Sequence, residues 1–351
     1  MRTAAVLLVI TTGCVAQTLS QPSRAVSDPG VVTTRQSITP AGAVSVFQGR
    51  VYGLGWAGNS GEELVVLHAS DVYRMDWRNN RVKERVAHGG SPGNQSIYAD
   101  PRTGEVWIGQ SVRDGGRNGS PKARLVAVDG KTVRPVASGL GSFQPGSFAV
   151  SQANAGGRRL AVVPLVWENK LAVIDVASGE VLKQVATGIA PFAAVVNAKG
   201  TVAYVSNLGG RPPRPNELSG SPVQKPDEKV TVDARGIAST GTISVVDLEK
   251  GETVATLAVG LHPTALALDE ARGRLYVANG NSESISVVDT ARRQVVRTIA
   301  LQPFTESVRG IAPTALAVSA DGKQLYAACG GINAVAVIAS ETGTLLGMIP
   351  T

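Results

Sequence analysis

Short runs of Val, Ala, Leu and Ile, each bounded by Gly, Asp, Asn or Pro, fill the chain from residue 43 to its end. Runs of this length between turn formers predict strands and leave little room for helices. They also recur in groups of four. Pro263-Thr-Ala-Leu-Ala-Leu-Asp269 matches Pro313-Thr-Ala-Leu-Ala-Val-Ser319, and Arg274-Leu-Tyr-Val-Ala-Asn279 matches Gln324-Leu-Tyr-Ala-Ala-Cys329. Ser284-Ile-Ser-Val-Val-Asp289 then matches Asn333-Ala-Val-Ala-Val-Ile338, and Gln294-Val-Val-Arg-Thr-Ile299 matches Gly343-Thr-Leu-Leu-Gly-Met-Ile349. Four strands returning roughly every 40–50 residues are the signature of a propeller blade.

The same four-beat pattern runs upstream with decreasing clarity, through 191–259 (with a long interruption), 146–186, 95–138 and 51–87. The expectation is an all-β chain, a β-propeller of four-stranded antiparallel blades, with six units present. Numbering the units one to six and their strands a to d fixes the connections. The d-to-a and b-to-c links emerge on one face and the a-to-b and c-to-d links on the other.

Composition agrees with this and narrows the function. Aromatic residues are only 4%, while 40 Gly and 19 Pro supply the turns. The net charge of +7 contains no basic run, since Arg158-Arg159 and Arg292-Arg293 are isolated pairs beside turns. Few aromatic stacking platforms and scattered cations argue against nucleic acid as a partner. The N-terminus reads as an export signal, with Arg2 ahead of an apolar stretch over 4–10 and Cys14-Val15-Ala16 before a cut at Gln17. Seven apolar residues are too few to span a bilayer. A periplasmic or secreted protein is expected. The alternative is a lipoprotein anchored through Cys14, although Thr11 stands where such signals carry Leu. If Cys14 leaves with the signal, Cys329 is alone and no internal disulfide forms.

Leu275-Tyr-Val-Ala-Asn279, Ile285-Ser-Val-Val-Asp289 and Pro313-Thr-Ala-Leu-Ala-Val318 resemble the YVTN-repeat (YncE-like) β-propeller family, most clearly over 180–351 and traceably back to about 95. The resemblance implies seven blades, often closed by an N-terminal strand. Here Ala43-Val-Ser-Val-Phe47 belongs to no unit and Met348-Ile-Pro-Thr351 follows a fourth strand. An incomplete seven-bladed ring is therefore expected, a closed six-bladed ring being the alternative. With Asn207-Leu-Gly-Gly-Arg211, the Pro-rich stretch after it and the export signal, the chain also resembles the propeller part of bacterial two-part proteins that carry an alkaline-phosphatase-superfamily phosphoesterase. The implied organisation is a signal peptide over 1–16, a linker over 17–42, and a propeller over 43–351 with an insert at 208–241 and a truncated C-terminus.

The long links, 112–122, 208–241 and 302–311, all fall on the d-to-a and b-to-c face. Loops on a rigid scaffold carry function, so this is the expected binding face. Its candidate ligand-binding residues are Arg113, Arg117, Trp167, Asn207, Arg211, Arg214, His262, Asn279 and Arg309. Converging arginines favour an anionic small molecule or an envelope component. The insert, with five prolines and near-balanced charge, also reads as a solvated, semi-rigid loop. Trp167 suits either ligand stacking or capping of the core. His68, His88 and His262 share this face without metal-ligand spacing, and no haem, nucleophile-elbow or phosphate-loop motif is present, so neither metal nor cofactor is expected. Two functions remain open. One is a non-catalytic binding domain of the cell envelope that accompanies a phosphoesterase. The other is a propeller lactonase-like hydrolase, for which His262, Glu283 and Arg309 are the nearest group.

Overall fold

A computed structural model describes residues 40–57, 62–113, 115, 118–130, 132–153, 156–222, 225–304 and 310–351. The described residues form six four-stranded sheets, each antiparallel with its strands in chain order. Together they make a six-bladed β-propeller. Unit one comprises Val51–Ala57, Glu63–His68, Asp71–Asp76 and Arg81–Ala87, and unit two Ser91–Ala99, Val106–Arg113, Pro121–Asp129 and Thr132–Ser138. Unit three comprises Ala149–Val150, Leu160–Leu165, Lys170–Asp175 and Val181–Ala186. Unit four comprises Ile189–Val196, Val202–Gly210, Gly241–Asp247 and Glu252–Val259. Unit five comprises Pro263–Asp269, Arg274–Asn279, Ser284–Asp289 and Gln294–Ala300, and unit six Pro313–Val318, Gln324–Cys329, Ala334–Ala339 and Leu345–Pro350. No helix among the described residues is long and apolar enough to cross a membrane. The export segment and Cys14 lie outside the described residues.

The middle strands b and c are apolar on both faces because, away from the junction of units six and one, each blade is covered on both sides. Tyr276, Ile285 and Val287 of unit five pack with Leu325, Ala327, Ala336 and Ile338 of unit six. Trp107, Leu125 and Ala127 of unit two meet Ala161, Val163, Ala172 and Ile174 of unit three in the same way. Cys329 belongs to the unit five–six layer, and its burial pushes the thiol pKa up. It is a small core side chain.

Polar links tie the layers at both ends. Near the axis, Ser96 Oγ donates to the Gly146 carbonyl at 2.8 Å and Thr264 Oγ1 to the Pro313 carbonyl at 2.9 Å. At the periphery, Lys183 Nζ donates to the Leu248 and Glu249 carbonyls, and Arg297 Nη1 donates to the Glu341 carbonyl. Lys183 and Arg297 occupy equivalent positions on strand d, so a cation from one blade clasps the c-to-d turn of the next.

The junction between units six and one differs. On unit six, Tyr326, Ala328, Val335 and Val337 are only partly buried, whereas their unit-five equivalents Tyr276, Ala278, Ile285 and Val287 are buried. On unit one, the facing row includes Leu54 and Trp56, which are 61% and 53% exposed. The expected strand at 43–47 is not a regular strand, and only Val46 forms an isolated bridge. This segment instead crosses unit one as extended chain. Ala41 N donates to the Pro350 carbonyl, Ser45 Oγ to Asn80 Oδ1 at 2.7 Å, and Phe47 sets its ring edge on Tyr73. Gln95 Nε2 donates to the Thr314 carbonyl at 2.8 Å, linking units two and six near the axis.

Two partly exposed apolar faces at one junction predict self-association. Replacing Leu54 and Ile349 together by Lys should reduce light scattering at high concentration while leaving the melting temperature unchanged. The same exchange at Ile285, buried between units five and six, should unfold the protein.

Candidate functional site

The inner strands begin on the long-loop face, and their first residues share one geometry. Ala190, His262 and Ala312, each directly before a proline, have φ of 53°, 55° and 48°. A bulge follows at Pro191, Pro263 and Pro313. Left-handed backbone at non-glycine residues is strained, so it persists where the surrounding structure over-determines it. The strand starts also lie close together around the axis. A Cβ on Gly93 would lie 2.0 Å from the Pro145 carbonyl oxygen, and one on Gly146 would lie 2.0 Å from that of Phe192. Only glycine permits this approach.

A cavity of about 280 Å³ opens among these strand starts, walled by Tyr52, Phe143 and Phe192 and bearing Arg50, Asn94 and Gln144. The Arg50 guanidinium stacks 4.6 Å above the Tyr52 ring and donates to Asn94 Oδ1 at 3.0 Å. It is thereby oriented, with no carboxylate partner among the described residues. Gln144 Oε1 is buried and accepts no hydrogen bond from the described residues. A larger cavity of about 810 Å³ opens on the opposite face between units three and four. The mouth cavity is the better candidate because four units converge on it with a fixed cation and an unpartnered acceptor.

The mouth is extended by unit three and the unit-four insert. Phe143 stacks on Trp167 with ring centroids 4.4 Å apart and planes 6° from parallel. Asn169 takes the left-handed turn position at φ 54°, where asparagine is tolerated, and its Oδ1 accepts from Ala190 N at 2.9 Å. Lys225 Nζ donates to the Trp167 carbonyl and Asn169 Nδ2 donates to Glu228. The insert, which carries a small hairpin of Ser219–Gly220 and Val230–Thr231, is thus docked onto unit three.

The described members of the expected site stand at the long-loop end, but they do not converge. Arg113 Nη1 donates to the Gly119 carbonyl at 2.9 Å inside its own loop. Arg211 makes a bidentate pair with Glu217 at 2.8 and 2.7 Å, and Arg214 offers its backbone N–H to the same carboxylate at 2.8 Å. Asn207 and Asn279 are fully buried, donating to Thr242 and Ser244 and to Ser284 and Ser286 respectively. These two amides brace strand b against strand c, and the Oδ1 of each is buried with no hydrogen-bond partner among the described residues. Burial pulls the His262 imidazole below its ordinary pKa. Glu283 accepts from Gly310 N. Arg117 and Arg309 lie outside the described residues.

His68 binds the Gln48 carbonyl at 2.7 Å, and His88 lies between Gln110 Oε1 and the His68 carbonyl at 2.9 and 3.0 Å. Among the described residues no group of three His, Cys, Asp or Glu side chains could hold a metal ion. Arg50, Tyr52, Asn94, Phe143 and Gln144 carried no sequence signal of their own. The available clue was position alone, because each lies at or just before an inner strand's start. Comparison with known proteins finds no matching family model and no matching curated protein.

The Arg211 hydrogen bonds, helped by Arg214 N–H, lower the Glu217 pKa from 4.5 to about 2. A carboxylate with a depressed folded pKa contributes stability above its unfolded pKa and loses it as pH falls through the folded value. Order in the insert should therefore hold above pH 4.5 and decay as pH falls toward about 2. Amide exchange at 211–217 reads this directly. In Arg211→Ala, the loss of order should move up toward pH 4.5.

Proposed function

We propose that this chain is a non-catalytic binding propeller of the cell envelope whose ligand is a small organic anion seated at the channel mouth. The reading rests on one observation. Arg50, exposed at the rim, stacks over Tyr52 and donates to Asn94, and it shares a cavity lined by Phe143 and Phe192 with Gln144, whose buried Oε1 accepts no hydrogen bond from the described residues. A fixed guanidinium suits a carboxylate or phosphate, and the aromatic walls suit a flat apolar body. At about 280 Å³ the cavity lies just below the usual range of roughly 300–1,000 Å³, so the ligand is small.

The repeat phrases quoted above support membership of the YVTN-repeat family, and the export segment supports an envelope location. In that reading the propeller accompanies a phosphoesterase domain and supplies recognition rather than chemistry. A hydrolase built on His262, Glu283 and Arg309 is the second reading; there Glu283 accepts one hydrogen bond, from Gly310 N.

Calorimetric titration with small aromatic hydroxy- and amino-carboxylates and phosphates tests the mouth. Arg50→Ala should weaken binding by about tenfold or more with the melting temperature unchanged, as expected for losing one charged hydrogen bond. Arg214→Ala should bind as the parent does. If Arg50→Ala binds equally well, the ligand sits elsewhere. Mass spectrometry of the exported protein should give an N-terminus at Gln17, whereas a lipidated Cys14 would replace the periplasmic or secreted reading by the anchored one.

A further inference from the structure

On the face opposite the mouth, a cavity of about 520 Å³ opens between units five and six. Its charged lining is three guanidiniums, Arg272, Arg274 and Arg297, against a single carboxylate, Glu341. Each guanidinium is fixed at one edge. Arg272 Nη1 donates to Asp269 Oδ2 and its Nη2 to the Asp321 carbonyl, Arg274 Nη1 donates to Asp289 Oδ2 at 3.2 Å, and Arg297 Nη1 donates to the Glu341 carbonyl. Asp269 and Asp289 hold their arginines from outside the lining. A guanidinium has five N–H donors, so each retains donors beyond these contacts. Tyr276 and Ser340 also line the cavity, and Val287 and Val296 give it an apolar wall.

We infer that this inter-blade cavity binds a phosphomonoester. Asp269 and Asp289 offset Arg272 and Arg274 at one edge each, so an anion would bind through the donors left over on the three forks. Those forks offer more donors than the two oxygens of a carboxylate can accept, whereas a phosphate dianion presents three terminal oxygens. The cavity exceeds what an inorganic anion fills, given about 30 Å³ per water-sized group, so an organic substituent lies against Val287 and Val296. Arg297 also clasps unit six to unit five, so occupancy would rigidify that junction. This site is separate from the channel mouth and does not depend on the reading given to it.

The test is calorimetric titration of the full chain with phenyl phosphate, inorganic phosphate and benzoate. Phenyl phosphate should bind tightest and benzoate weakest. Arg274→Gln should weaken phenyl phosphate by about tenfold, one charged hydrogen bond's worth, while binding at the mouth is unchanged. Arg272 and Arg297 are left intact because each bonds a unit-six carbonyl and its loss would loosen the blades. If Arg274→Gln lowers the melting temperature, Arg274→Lys keeps the charge without the fork and must still bind more weakly. Absence of saturable binding to the parent protein, equal binding of benzoate, or variants that bind as the parent does would each overturn the assignment.

Discussion

Apolar packing of one sheet face on the next is the interaction on which the rest of this structure depends. A four-stranded sheet presents two faces, and in a propeller both are covered by neighbouring blades. Ile285 and Val287 show the consequence, being buried against unit six while Val288 packs against unit four. At roughly 25 cal/mol per Å² of apolar surface, such layers dominate the stability of a chain with few aromatic residues and no described disulfide. Where a cover is missing, at the junction of units six and one, the same apolar rows become exposed surface.

This packing also decides where chemistry can occur. Layered sheets leave openings at only two kinds of place, around the axis where strand starts converge and between blades where turns diverge. The channel mouth is of the first kind and holds one oriented cation among rings. The cavity between units five and six is of the second kind, lined by arginines whose carboxylate partners stand behind them. In both, a rigid strand or a tight turn fixes the side chain. The long insert behaves otherwise, closing its charges on one another through Arg211 and Glu217 and leaning on unit three.

Blade repetition explains why residues at equivalent positions share roles. Asn207 and Asn279 brace their strands in the same way, and Lys183 and Arg297 clasp the next blade in the same way. Within these repeat phrases the two asparagines tie strand b to strand c. The residues that gather at the mouth come from the irregular parts of units one to four, where Gly93, Asn94, Phe143 and Gln144 interrupt the pattern.

The blades themselves were legible in the chain. Apolar runs ended by turn formers, recurring in fours, specify strand pairing because register follows from which residues can be buried, and that is a local property of sequence. The face on which long loops lie was legible for the same reason, since antiparallel strands alternate ends. Which side chains meet was not legible. Arg50, Asn94 and Gln144 are far apart in sequence and become neighbours only when the inner strands converge on the axis. Arg211 looked available from composition, but turn geometry placed Glu217 within 2.8 Å of it. Burial pattern is written residue by residue, whereas a site depends on distances between separate blades, and those are decided only when the sheets pack.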